Sequence, residues 1–420
     1  MTKILCWPAL FFVALVTVET VQAGDVASRL FSDYRQLVYQ IRVVDAGSGD
    51  KSSIGSGFQV SNAGHLATNF HVVASYVHEP EKYRLEYVAH DGSSGPLALA
   101  GFDVIHDLAI VTLDTATAGH FELDTGNLDK GDRIYSMGNP QDLGMTIVEG
   151  NYNGLIKTSR YRKILFSGSL NPGMSGGPAL SGDGRIIGVN VSKGGEQLSF
   201  LVPAAYLGDL LEDVRNGGQA GEYKAQIREA LLAEQEAFYG PLLEKEWERD
   251  ALVEVMLPSQ LDKSLKCWGH TVDDEDILYE GVHQHCQSQD VIYLDDNFQT
   301  GSLSYDFEWM STEALNRFQF YSLMESRYLH ESLDNSYKEE DSTNYTCHTD
   351  FVDIDDQPWR VSACSRAYRE YAGLYDALLM MASVGKNDRG VVIRLGASGI
   401  SRKNAIGLLE RFTGSVAWTN

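Results

Sequence analysis

A serine set among glycines, Gly173-Met174-Ser175-Gly176-Gly177, is the stretch of this chain best suited to covalent chemistry. Such a turn exposes a hydroxyl and lets backbone N–H groups point at a substrate, although glycine-rich turns are common in themselves. A serine hydroxyl is a poor nucleophile near neutral pH, so a base must take its proton during attack. Two upstream stretches supply partners. His71 ends the run Thr68-Asn69-Phe70-His71, and Asp107 opens a strand in His106-Asp107-Leu108-Ala109-Ile110. Imidazole titrates near the working pH, which suits His71 to the role of base. Taken singly, each is an ordinary residue: a turn serine, a core histidine, a turn-forming aspartate. Asp103 is a competing acid, but no Leu-Ala-Ile strand follows it.

The elements that must position these residues read as short strands. β-rich runs separated by Gly, Asn or Asp recur over 38–44, 54–60, 65–69, 83–89, 108–113, 133–137, 146–155, 163–167 and 185–191. That is an all-β signature. A helix is expected over 26–38, a helical turn at 72–76 and a closing helix over 204–214. Residues 219–257, rich in Glu, Lys and Ala, read as a helical connector divided in two by Pro241. Beyond 259 the expected strands are 291–294, 302–309, 359–368 and 390–395. The expected helices there are 312–329, 371–382 and 401–412, giving an α+β region.

The motifs occur in a telling order. Gly55-Ser56-Gly57-Phe58 is followed by Gly64-His65-Leu66-Ala67-Thr68-Asn69-Phe70-His71, then Asp107-Leu108-Ala109-Ile110 and Gly131-Asp132. Met137-Gly138-Asn139-Pro140, the Gly150 turn, residues 171–178 and Ser199-Phe200-Leu201-Val202-Pro203 complete the series. Over roughly residues 35–212 the chain resembles the HtrA/Deg branch of the trypsin-like serine proteases. The resemblance implies two six-stranded antiparallel β-barrels with a cleft between them, their seam near 115–123, and a catalytic triad of His71, Asp107 and Ser175. In that scheme Asp107 accepts from the second ring nitrogen of His71, and the N–H groups of Gly173 and Ser175 form the oxyanion hole.

The same resemblance bears on activation and specificity. Digestive members carry an aspartate where Met174 stands, pairing it with a freed N-terminus; Met174 makes no such pair, so control by loop rearrangement is the expectation. Ser169 stands six before the nucleophile, where the trypsin branch places its specificity aspartate. With Leu198, Ser199 and Phe200 as walls, a small to medium apolar residue is expected on the acyl side of the scissile bond. HtrA-type proteases usually carry PDZ domains after the peptidase domain. No Gly-Leu-Gly-Phe-like carboxylate loop is evident here, and residues 259–420 resemble no family.

Composition fixes the setting. The net charge of −24 argues against a nucleic-acid partner. The excess is uneven, with 22 acidic and 15 basic groups over 24–215 but 35 and 18 over 216–420. A solvated acidic surface is the simple reading and a docking face for cations the alternative. Lys3, an apolar run over 4–18 and Val21-Gln22-Ala23 read as a signal peptide cleaved after Ala23, hence export to the periplasm or medium. A membrane anchor is the competing reading, but the run is short and Pro8 interrupts it. The remaining Cys267, Cys286, Cys347 and Cys364 are expected to form two disulfides, 267–286 and 347–364 by proximity. His283 and His285 beside Cys286 fit no zinc-finger spacing, and neither a metal nor a cofactor is expected.

The expected organisation is therefore a signal peptide (1–23), a double six-stranded barrel (24–215), a helical connector (216–258) and a disulfide-bonded α+β domain (259–420). The leading function is an exported serine endopeptidase acting on proteins or peptides, with no stable membrane insertion. The alternatives are a catalytically weak protease-fold scaffold whose C-terminal domain carries the function, and an esterase.

Overall fold

The computed structural model describes residues 23–419 apart from 116–118, 125, 127, 196–197, 218–221, 273, 275 and 330–336. All but the last residue of the expected signal peptide, and part of the expected seam between barrels, lie outside the described residues. Helix α1 (Ala23–Tyr34) leads into the first barrel. Its strands are β1 (Val38–Asp45), β2 (Lys51–Gln59), β3 (His65–Thr68), β4 (Tyr83–Val88), β5 (Ser94–Asp103) and β6 (Leu108–Thr112), closed in the order β1-β2-β3-β6-β5-β4. Helix α2 (Phe70–His78) lies between β3 and β4. The second barrel comprises β7 (Arg133–Gly138), β8 (Thr146–Leu155), β9 (Ile164–Phe166), β10 (Pro178–Leu180), β11 (Ile186–Gly195) and β12 (Leu198–Pro203), closed as β10-β11-β12-β9-β8-β7.

The two-residue period of β6 explains how the barrels join. Leu108 and Ile110 enter a buried cluster with Met137, Val189 and Leu207, whereas Ala109 and Val111 enter another with Ile41, Leu66 and Phe70. His71, near the start of α2, and Asp107, just ahead of β6, are thereby anchored on elements locked into a shared core.

Helix α3 (Ala204–Arg215) closes the barrels, and α4 (Tyr223–Glu244) follows. Here the structure corrects the expected pair of helices. Pro241 lies in the last turn of a single helix, so it forfeits one hydrogen bond near the end and the helix stops within four residues instead of dividing. The chain beyond is a hairpin, β13 (Arg249–Leu252) and β14 (Val255–Pro258), with Val255 and Leu257 turned inward. A seven-stranded antiparallel sheet then builds from β15 (Leu265–Val272) and β16 (Glu280–Ser288). A separate hairpin, β17 (Ile292–Asp295) and β18 (Phe298–Thr300), precedes β19 (Leu303–Ser311) and α5 (Arg317–Tyr328). The sheet continues with β20 (Thr346–Ile354), β21 (Gln357–Ala367), β22 (Leu374–Ser383) and β23 (Arg389–Ser401), and the chain ends through α6 (Arg402–Thr413) and β24 (Ala417–Trp418). The strand order is β15-β16-β19-β23-β22-β21-β20. Because β14 pairs with β24, the expected connector contributes strands to the C-terminal half.

Two further expectations change. Residues 371–382 were expected to be helical, yet β22 is a strand buried on both faces; its continuous Ala-Leu-Leu-Met-Met-Ala run carries no period to tell the two apart. Helix α5 starts at 317 rather than 312, because Asn316 and Gln319 form a reciprocal capping box. The disulfides pair Cys267 with Cys286 and Cys347 with Cys364. They tie the outermost strands β15 and β20 to their neighbours, one at each end of the sheet.

The halves share a core. The cluster holding Phe70, Val73 and Phe102 of the first barrel also holds Ile227 and Leu231 of α4, Ile292, Leu294 and Phe298 of the β17–β18 hairpin, and Tyr371.

Candidate active site

Asp107 sits in the left-handed region (φ 56°), which aspartate tolerates better than most residues. Asn69 donates its side-chain amide to the Asp107 carbonyl at 2.7 Å and so fixes that backbone. The carboxylate faces α2: Oδ1 accepts the His71 backbone N–H at 2.8 Å, and Oδ2 lies 2.7 Å from His71 Nδ1. Asp103, the competing acid, is committed elsewhere, accepting the N–H groups of Ile105 and His106 and pairing with His106 Nδ1 at 2.6 Å.

Burial opposes the charged form of His71, but the Asp107 carboxylate, by charge and hydrogen bond, and the charge of Asp296 outweigh it. The pKa of His71 is raised above the ordinary histidine value. Asp296 belongs to the β17–β18 hairpin, so the C-terminal half contributes to the field at this imidazole. The Tyr293 ring of the same hairpin meets the His71 ring edge to face, with centroids 5.9 Å apart.

The serine loop is held from both barrels. Ser56 of β2 donates its backbone N–H to the Ser175 carbonyl at 2.7 Å and its hydroxyl to the Gly173 carbonyl at 2.7 Å. That hydroxyl also accepts the Asn139 N–H at 2.9 Å. From the second barrel, the side-chain amide of buried Asn190 donates to the carbonyls of Met137 and Met174 at 3.0 and 3.1 Å, and the Asn190 backbone carbonyl accepts the Gly176 N–H at 2.9 Å. Sequence reasoning assigned no role to Ser56 or Asn190. Neither a serine in Gly-Ser-Gly nor an asparagine inside a strand carries a local signal for such a task.

Gly173 has φ 93°, and a Cβ there would stand 2.5 Å from the Asn139 carbonyl oxygen. Only glycine gives this turn both its angle and its clearance. Among the described residues the N–H groups of Gly173 and Ser175 donate to no protein acceptor. Met174 is fully buried among Ile134, Phe166, Leu170 and Leu201 and anchors the loop in the second barrel.

His71 and Asp107 come together as a hydrogen-bonded pair. The Ser175 hydroxyl donates to the Val191 carbonyl at 2.9 Å, not to His71. Val191, which holds that hydroxyl, and His71 line one cleft of about 330 Å³. The four residues expected to shape specificity behave differently from one another. Ser199 is fully buried and its hydroxyl accepts the Leu170 N–H at 3.1 Å, so it braces the segment before the serine loop. Leu198 is exposed, Ser169 and Phe200 are partly exposed, and none of the four lines the cleft beside His71.

Residues 55–189 match the family model described as a trypsin-like peptidase domain. The chain is similar to the "Probable periplasmic serine endoprotease DegP-like" of Chlamydia pneumoniae, 30% identical over 176 residues covering 39% of this chain and 35% of that protein. It is also similar to "Serine protease Do-like HtrA" of Bacillus subtilis, 28% identical over 195 residues covering 42% of each. A solved structure titled "Crystal structure of Deg5" aligns with a TM-score of 0.42 and 24% identity, over 48% of this chain and 100% of that one. The chain thus spans well under half the length of the curated relatives it matches.

Proposed function

We propose that this chain, which carries a trypsin-like peptidase domain over residues 55–189, is a serine endopeptidase. The observation that carries the reading is the His71–Asp107 pair opening onto a cleft also lined by Val191, whose carbonyl accepts the Ser175 hydroxyl. Asp107 fixes the His71 tautomer with Nδ1 protonated, leaving Nε2 to take the Ser175 proton. Attack requires the hydroxyl to leave the Val191 carbonyl and turn to His71 Nε2. The acyl carbon then bonds to Oγ, and the oxyanion receives the free N–H groups of Gly173 and Ser175. His71 returns its proton to the leaving amine, and water, activated by the same imidazole, releases the acid.

On the acyl side of the bond, Ser169 with Leu198 and Phe200 favours a small to medium apolar residue. Ser199 acts there as a brace. Export to the periplasm follows from the signal-like N-terminus and agrees with relatives named periplasmic. Unfolded envelope proteins are the substrate class we infer. Among the described residues no helix is long and apolar enough to cross a membrane.

A second reading, a binding protein with little turnover, draws on the Ser175 hydroxyl being held by Val191. Hydrolysis of an unfolded protein by the mature chain separates the two. The peptidase reading expects turnover that falls by at least about 10³-fold in both Ser175→Ala and His71→Ala. Turnover that survives Ser175→Ala would refute it.

A further inference from the structure

We propose that the β17–β18 hairpin of the C-terminal half forms one wall of a binding cleft for an apolar side chain of the polypeptide substrate. The proposal rests on the peptidase reading above and gives residues beyond the peptidase domain a part in substrate choice. The cleft of about 330 Å³ is lined by His71 and Asp107, by Val191 and Tyr161 of the second barrel, and by Val291 and Tyr293 of the C-terminal half, among others. That volume lies at the small end of ligand sites. It suits one side chain with its flanking backbone.

The wall is built and fixed. Ile292 and Leu294, on either side of Tyr293, are buried in the core shared with the first barrel. The Leu294 carbonyl accepts from His78 Nε2 at 2.9 Å, pinning the hairpin to α2. Just ahead of Val291, the Asp290 carboxylate is only 3% exposed and accepts from Ser159 Oγ, Arg160 N and Lys163 Nζ at 2.7–2.8 Å. These bonds hold the hairpin against the loop that carries Tyr161.

The lining chooses the chemistry. Tyr293 gives its hydroxyl to Asp296 at 2.7 Å within the hairpin, so its polar tip is satisfied there. Val291 is 45% exposed beside it and offers only methyl groups. Arg162 also borders the cleft, and the carboxylates nearby are already committed, Asp107 to His71 and Asp290 to Lys163, which disfavours a cationic side chain. An aliphatic or aromatic residue is therefore the occupant, and its place beside His71 and the serine loop is where a bound peptide must pass.

The test is positional-scanning peptide hydrolysis by the full mature chain and by Tyr293→Ala, Val291→Ala and Tyr293→Phe. The wild type should favour Leu, Val or Phe over Lys at one substrate position by tenfold or more in kcat/KM. Tyr293→Ala should cut that ratio about tenfold, Val291→Ala less, and Tyr293→Phe should keep it. A ratio that is unchanged while all substrates gain or lose together would overturn the proposal, a uniform gain marking the hairpin as a cover over His71. Should the wild type hydrolyse nothing, the peptidase reading falls by itself. The cleft is then judged by fluorescence anisotropy of the same peptides on Ser175→Ala. Tighter binding of the apolar peptides, lost on adding Tyr293→Ala, supports it; equal binding of apolar and Lys peptides overturns it.

Discussion

Removing the Asp290 carboxylate should uncouple the C-terminal half from the peptidase barrels. In Asp290→Ala three hydrogen bonds vanish, from Ser159 Oγ at 2.8 Å, Arg160 N at 2.7 Å and Lys163 Nζ at 2.7 Å. Hydrogen bonds to a charged group are worth about 1.5–3 kcal/mol, and an N–H left unpaired in the interior adds about 1–3 kcal/mol. Lys163 is 28% exposed and recovers part of its loss from water, so its share is discounted. Because the three bonds converge on one carboxylate they do not add independently, and the cost is set at about 3–5 kcal/mol, the range for breaking a buried pair. Asp290→Asn retains an acceptor for the Arg160 N–H and should cost about 1–2 kcal/mol. Urea unfolding followed by tryptophan fluorescence suits the question, because five of the six tryptophans (247, 268, 309, 359 and 418) lie in the C-terminal half. With an m-value of about 3 kcal/mol/M, the midpoint for Asp290→Ala should fall by roughly 1–1.5 M. An unmoved midpoint would refute the reasoning and leave the two halves as independent bodies.

Four further outcomes are expected. Because the His71 pKa is raised, kcat/KM should climb with pH through a midpoint above 6.5, the free base being the competent form; Asp296→Asn should move that midpoint down, and a pH profile indifferent to it would remove the hairpin from the site's field. Ser56→Ala strips the Gly173 carbonyl and the Asn139 N–H of their partner and should lower kcat/KM by roughly 10–10²-fold, read against unchanged near-UV dichroism. Replacing Cys267 and Cys286 together by serine opens a loop spanning 19 residues, and the denaturation free energy should drop by about 3 kcal/mol. A 24–215 fragment loses the part of its core supplied by Ile227, Leu231, Ile292, Leu294 and Phe298; it should melt earlier than the full mature chain and bind a hydrophobic dye, and equal melting would contradict the shared core.

Sequence patterning carried further in the peptidase half than beyond it. Strands there are short, β-rich runs set off by Gly, Asn or Asp, so 146–155 and 133–137 could be read nearly to their ends. His71, Asp107 and Ser175 stand in motifs whose order and spacing are informative even though each residue alone is not. Ser56 and Asn190 were illegible because their work consists of hydrogen bonds across 117 and 53 residues to carbonyls that only the fold brings near. Residues 377–382 misled for a different reason: good helix formers were recruited into a strand, buried on both faces, by neighbours distant in sequence. The contact of Tyr293 with His71 spans 222 positions and arises from how the hairpin docks, for which no local pattern exists.

For a peptidase, the Ser175 hydroxyl must be a nucleophile that His71 activates. Treatment of the folded mature chain with a fluorophosphonate, followed by peptide mass spectrometry, measures that directly. A single adduct on Ser175, lost in His71→Ala, is the predicted result. No adduct at Ser175, or one that forms equally fast without His71, would contradict it.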